Sequence, residues 1–196
     1  MQSTSLLAAM WAVLACAGAS TAAAPAPGRE GPAAPAAVSP ETMPPHAARA
    51  DDSLPAWLTA DPAAKTVHLT LETAPSAAGP AINGHRAGDV RIVVPLGWKV
   101  SWSWTNRDSS SAHSLVVMQE REKLPEQGGR AALTNAMTRM VTAGMRPGQT
   151  DETTFDADQA GWYWLLCGVP THALEGEWIG LKVDPEAKAP SFVKLR

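Results

Sequence analysis

Between Lys65 and Asp184 the chain alternates apolar and polar residues in short bursts, separated by turn-forming residues. In KTVHLTLE (65–72), Val67, Leu69 and Leu71 alternate with polar neighbours. That is the period-two signature of a strand with one face in a core. VRIVVP (90–95) and WKVSWSWTN (98–106) follow on either side of a Leu-Gly turn. The second puts Trp98, Val100, Trp102 and Trp104 on one face and Lys99, Ser101 and Ser103 on the other. HSLVVMQ (113–119), TDETTFDA (150–157), GWYWLLC (161–167) and EWIGLKVD (177–184) read as further strands, and GPAINGHRAGD (79–89) reads as turn chemistry. Several short strands with turn signals between them predict an all-β, Greek-key β-sandwich.

One stretch breaks the alternation. From Glu120 to Gly148 the chain is charged and then helix-permissive, with Leu133, Met137 and Met140 at helical spacing. The pattern predicts one short helix inside a long connection. His68 alternates onto the polar face of its strand and His85 falls in a turn, so both read as surface residues.

The N-terminal third carries no such periodicity. LLAAMWAVLACAGA is an apolar run shorter than the ~20 residues of a membrane span, and small residues follow it. It reads as an export signal over residues 1–22, with Cys16 in VLAC as a possible lipidation site. Residues 23–60 are rich in Ala and Pro and offer little to bury, which predicts a disordered tether. The folded domain is expected over 61–196, on the extracytoplasmic or periplasmic side. Any membrane attachment would run through the signal or its lipid.

Composition narrows the function. The 196 residues carry a net charge of -3 and no cluster of Lys or Arg, which leaves no electrostatic footprint for nucleic acid. Eight tryptophans against one tyrosine and two phenylalanines supply bulk for a core.

The chemistry-bearing stretch is GWYWLLCGVPTH. Once Cys16 leaves with the signal, Cys167 is the one cysteine of the mature chain, and an exported protein rarely keeps an unpaired thiol without a use. Cys167 shares a strand face with Tyr163 and Leu165, inward, while Trp162, Trp164 and Leu166 face outward. His172 follows in the next loop, Glu177 comes five residues later, and His113 opens a distant strand. One thiol, two imidazoles and a fourth donor suit a mononuclear metal site. Copper in a His₂Cys arrangement and zinc in a tetrahedral CysHis₂Glu set are both compatible. A Cys–His nucleophile is the enzymatic alternative, but Cys167 ends a strand and no oxyanion-hole motif is apparent.

CGVPTHALEGEW, WTNRDSSSAHSLVV and VPLGWKVSW together resemble sulfocyanin and its rusticyanin-like relatives among the cupredoxins, over roughly residues 66–183. The resemblance implies a Greek-key sandwich holding one mononuclear copper ion that carries single electrons between redox protein partners, without being an enzyme. It further implies His113, Cys167 and His172 as equatorial ligands. Ser114 would tie the two ligand segments together by hydrogen bonds. At the axial position the family normally has Met, and this chain has Glu177. A copper carrier, or a red and catalytic copper centre, remains the alternative at this point.

Overall fold

The computed structural model describes residues 49–50 and 54–195. The expected signal, with Cys16, and most of the expected tether lie outside the described residues. Eleven strands form: β1 (Arg49–Ala50), β2 (Leu58–Asp61), β3 (Thr66–Ala74), β4 (Ala81–Ile82), β5 (Val90–Pro95), β6 (Lys99–Asn106), β7 (Val116–Gln119), β8 (Thr150–Asp156), β9 (Gly161–Leu166), β10 (Trp178–Asp184) and β11 (Ser191–Lys194). The first sheet runs β1-β11-β5-β10-β9-β7, and the second runs β2-β3-β6-β8 with β4 paired to β3. Both are mixed, with β10 parallel to β5 and β3 parallel to β6. From β5 to β9 each successive strand crosses to the opposite sheet, which makes the sandwich a Greek key.

The alternating residues meet between the sheets. Val100, Trp102 and Trp104 of β6 are buried with Leu69 and Leu71 of β3 from one side and Ile92, Leu165 and Leu181 from the other. The Trp104 indole N–H donates to the Thr73 hydroxyl at 3.2 Å, so its one polar atom is satisfied inside the core.

Sheet pairing takes in chain ahead of the boundary expected at residue 61. β1 pairs with β11 and β2 pairs with β3. Leu58 is buried and Trp57 stacks edge-on against Phe192 at 5.4 Å. His85, expected on the surface, packs against both rings, 6.2 Å from Trp57 and 5.5 Å from Phe192. Isolated apolar residues in Pro-rich chain carry no periodicity, so composition alone misses them.

The predicted helix does not form; there is none among the described residues. The segment runs instead along the outer edge of β7. Ala132 N–H donates to Val117 C=O, Val117 N–H to Ala136 C=O, and Thr138 N–H to Leu115 C=O, at 2.8 to 2.9 Å. Asn135 takes a positive φ of 65° at the bend. The edge strand would otherwise leave its ladder groups unpaired, and that demand outweighs helical spacing. Of the three residues behind the helix reading, only Leu133 is buried; Met137 and Met140 are exposed.

This excursion also covers the outer face of β9, which was expected to face outward. Trp164 and Leu166 are buried with Val116, against Leu124, Val141 and Trp178. Only Trp162 remains exposed, with the Arg91 guanidinium 4.2 Å and the Lys182 ammonium 4.7 Å from its ring. Trp164→Ala is expected to lower stability by about 3–5 kcal/mol, as for a large aromatic removed from a packed core. Urea unfolding measures it. A change near zero would mean that the excursion does not pack on β9.

Candidate metal centre

Three segments converge at one end of the sandwich. His113 precedes β7 and is clamped to the excursion by two backbone bonds: its N–H donates to Met145 C=O at 3.1 Å, and Met145 N–H returns to His113 C=O at 2.7 Å. Cys167 follows β9. The loop after it is closed by Cys167 N–H donating to Glu177 C=O and by Glu177 N–H donating to His172 C=O, both at 3.0 Å. Gly168 is required by close approach. A Cβ there would sit 2.4 Å from Val141 Cγ1, 2.9 Å from the Val141 carbonyl oxygen and 3.2 Å from Gly128 Cα. Thr171, with φ of 69°, turns the chain so that His172 faces back toward Cys167.

The loop thus brings His113, Cys167, His172 and Glu177 together, with one potential ligand atom from each lying within 4.8 Å of every other. His113 Nδ1 lies 2.8 Å from Glu177 Oε2, 3.3 Å from His172 Nδ1 and 4.0 Å from Cys167 Sγ. His172 Nδ1 is 3.2 Å from Glu177 Oε2 and 3.5 Å from Cys167 Sγ. Ligand atoms bound at ~2.0–2.3 Å to one tetrahedral centre stand roughly 3.3–3.7 Å apart, so the observed separations bracket what a shared ion needs. His113, Cys167 and Glu177 are buried, while the His172 side chain keeps 17% exposure and is the part of the site nearest solvent. Glu177 Oε1 is buried and has no hydrogen-bond partner among the described residues. Such an orphaned carboxylate oxygen calls for a cation.

Ser114 ties the segment of His113 to that of Cys167. Its N–H donates to Cys167 Sγ at 3.4 Å; its hydroxyl accepts the Gly168 N–H at 2.9 Å and donates to Val141 C=O at 2.6 Å. A residue the sequence does not single out completes the surroundings. Asp108 Oδ2 accepts from His113 Nε2–H at 3.1 Å. In RDSSS an aspartate two residues before a serine reads only as a turn former, and no spacing rule connects it to the imidazole.

The electrostatics follow from burial and these contacts. Burial pushes the Cys167 thiol well above its ordinary range, and the Glu177 carboxylate adds to the rise. Burial would raise Glu177 as well, but its bonds to His113 and His172 outweigh that and hold it below the usual carboxylate value. His113 is pulled down by burial and up, more strongly in sum, by Glu177 and Asp108. The Ser110 hydroxyl holds Asp108 down at about 2. A thiol kept protonated and shut from solvent is the opposite of an activated nucleophile. A divalent ion reverses this balance, because it needs the thiolate and gives the carboxylate its counter-charge.

The donor set is mixed in softness. Thiolate favours Cu(I) and imidazole suits copper in both oxidation states, so the residues fit one copper ion. Residues 55–194 match the model of the sulfocyanin (SoxE) domain. Sulfocyanin of Sulfolobus acidocaldarius is 29% identical over 138 residues, which cover 66% of this chain and 69% of that protein. Dithionite-reduced auracyanin of Roseiflexus castenholzii aligns at 21% identity over 60% of this chain and 97% of that one, with a TM-score of 0.45. Reduced rusticyanin aligns at 18% identity over 61% and 85%, with a TM-score of 0.44. With the domain model covering β2 to β11 and four potential metal ligands grouped at one end of the sandwich, the chain belongs to the sulfocyanin family of cupredoxins, whose cofactor is one copper ion.

Proposed function

We propose that this protein is an electron shuttle, not an enzyme, in which His113, Cys167, His172 and Glu177 hold the copper and Ser114 supports Cys167. The observation that carries the reading is the convergence of one thiol and two imidazole Nδ1 atoms on a common point. The copper supplies one-electron chemistry between Cu(II) and Cu(I). The chain's part is to keep the donors where they are in both states. His113 is braced by Met145, the Cys167 loop by its own backbone bonds, and Cys167 by Ser114. Atoms that do not move between oxidation states add little to the reorganisation that slows electron transfer. Copper loading followed by absorption and paramagnetic spectra tests the reading. An intense thiolate-to-Cu(II) band supports it, and a Cu(II)-loaded protein without that band would sink it.

Electrons would enter and leave at His172. Its loop offers a small apolar surface, with Leu174 exposed and Val169 half-buried, while Ala173 is fully buried beneath them. Such a surface suits brief docking of redox protein partners. Leu174→Lys is expected to slow electron exchange with a partner about tenfold, as loss of ~1.4 kcal/mol from the encounter complex would, with the visible spectrum unchanged. Stopped-flow kinetics with several partners measures it; unchanged rates throughout would rule out this face.

The same reading places the protein outside the cytoplasm. The apolar N-terminus serves as an export signal over 1–22, with Cys16 a possible lipid anchor, and the Ala/Pro-rich chain before the sandwich is a tether. Mass spectrometry of the mature N-terminus tests this, and an intact Met1 would contradict it.

A further inference from the structure

Asp108 lies outside the four converging side chains, and the copper reading gives it no task. Its side chain is 6% exposed. Oδ1 accepts the Ser110 N–H at 2.7 Å and the Ser110 hydroxyl at 2.6 Å, while Oδ2 accepts His113 Nε2–H at 3.1 Å. The loop carrying it is braced from beneath. Asp108 N–H donates to Asn106 Oδ1 at 2.9 Å, and Asn106 Nδ2 donates to Ser111 C=O and Met145 C=O, also at 2.9 Å. The carboxylate cannot swing away without breaking that set. Among the described residues it forms its ion pair with His113 and none with Lys or Arg.

We propose that Asp108 is a positioning residue of the metal centre, holding His113 with its proton on Nε2 and its Nδ1 lone pair toward Cys167, His172 and Glu177, and biasing the copper toward its higher oxidation state. The proposal rests on the copper reading above. Both ring nitrogens face a carboxylate, Asp108 Oδ2 at Nε2 and Glu177 Oε2 at Nδ1, and an ionised carboxylate can only accept. Nδ1 alone also faces Cys167 and His172, so once a metal ion takes the Nδ1 lone pair the one remaining ring proton sits on Nε2, where Asp108 accepts it. Carboxylate–histidine–metal relays of this kind fix the tautomer and raise the basicity of the ligand. The charge itself needs a reason. A staple for the loop would work as well with a neutral amide, since Asn offers the same acceptor oxygen. A buried carboxylate whose one ionic partner is an imidazole is costly to keep charged unless a cation lies near. The cation that fits is the one on the far side of the ring, and the buried negative charge stabilises Cu(II) more than Cu(I).

Asp108→Asn keeps the acceptor and removes the charge; Asp108→Ala removes both. In copper-loaded protein, Asp108→Asn should keep the visible band and move the oxidised-to-reduced ratio about tenfold toward reduced, which is a potential about 59 mV higher for one electron. Asp108→Ala should in addition lose about 10–100-fold in Cu(II) affinity, the usual cost of deleting an outer partner, with much of that affinity retained in the Asn variant. Nitrogen-resolved NMR of the wild-type Cu(I) form should show a slowly exchanging His113 Nε2 proton. A potential unmoved in Asp108→Asn overturns the charge role. A His113 Nε2 proton that exchanges as fast as that of His172 overturns the positioning role, and this readout stands even if both variants fail to fold. The underlying copper reading fails differently, through wild-type protein that lacks the thiolate-to-Cu(II) band.

Discussion

A Cys167→Ser variant should fold normally, lose the intense visible absorption of the copper-loaded protein, and bind copper far more weakly. The band requires a thiolate on Cu(II), and serine has no equivalent, because its hydroxyl stays protonated at neutral pH and metal ligands must be deprotonated. The affinity lost should exceed the ~10–100-fold that removing an outer partner costs, since a direct ligand is gone. The fold should survive. Cys167 is fully buried and accepts the Ser114 N–H, and a serine oxygen in the same place can accept it too. The metal-free variant should therefore differ from wild type by only about 1 kcal/mol, the scale of one altered hydrogen bond. Absorption, copper titration and denaturant unfolding of the metal-free protein read the three effects separately. A variant that keeps its colour and its full copper content would remove Cys167 from the site.

Glu177→Met is expected to raise the reduction potential and shift the colour toward that of an ordinary blue site. A carboxylate oxygen is a harder donor than a thioether and brings a negative charge, and both properties favour Cu(II). Each tenfold of affinity lost by Cu(II) but not by Cu(I) raises the potential by about 59 mV. Glu177 is 1% exposed, with Oε2 2.8 Å from His113 Nδ1 and Oε1 unpaired, so water screens little of its charge. Glu177→Gln separates the two contributions. It keeps an oxygen without the charge and should fall between wild type and the Met variant. Potentiometry and paramagnetic spectra decide it. A Met variant with the wild-type potential and spectrum would make Glu177 a bystander to the copper.

The two carboxylates, Glu177 and Asp108, bracket the same imidazole, one at each ring nitrogen. On the proposed reading both would favour the oxidised metal, and their separate substitution tests whether the two effects add. They share His113 as a partner, so coupling is expected.

The alternation of Trp98, Val100, Trp102 and Trp104 was enough to place β6 in the core, because period two leaves a strand only one way to bury four apolar residues. The same holds for Val67, Leu69 and Leu71 of β3. The resemblance of two sequence segments to a known family led to the expectation that His113, Cys167, His172 and Glu177 meet, and the structure brings these four side chains together. Where the chain lacks a period, local reading failed. Leu133, Met137 and Met140 spaced as a helix, yet the segment lies along β7 because an open sheet edge offers hydrogen bonds that the segment's own turns cannot outbid. Trp164 and Leu166 looked exposed on alternation alone, and only the returning excursion buries them.

The sequence by itself determined the longer alternating strands of the sandwich and the candidate donors, because both depend on residue type and short-range spacing. The tertiary structure alone decided that His113 meets a loop more than fifty residues away, that Glu177 Oε1 is left unpaired, and that Asp108 rather than water faces Nε2. Those are properties of burial and distance, set by how two sheets and an edge-covering excursion close over one end of the fold, and no local pattern in the chain encodes them.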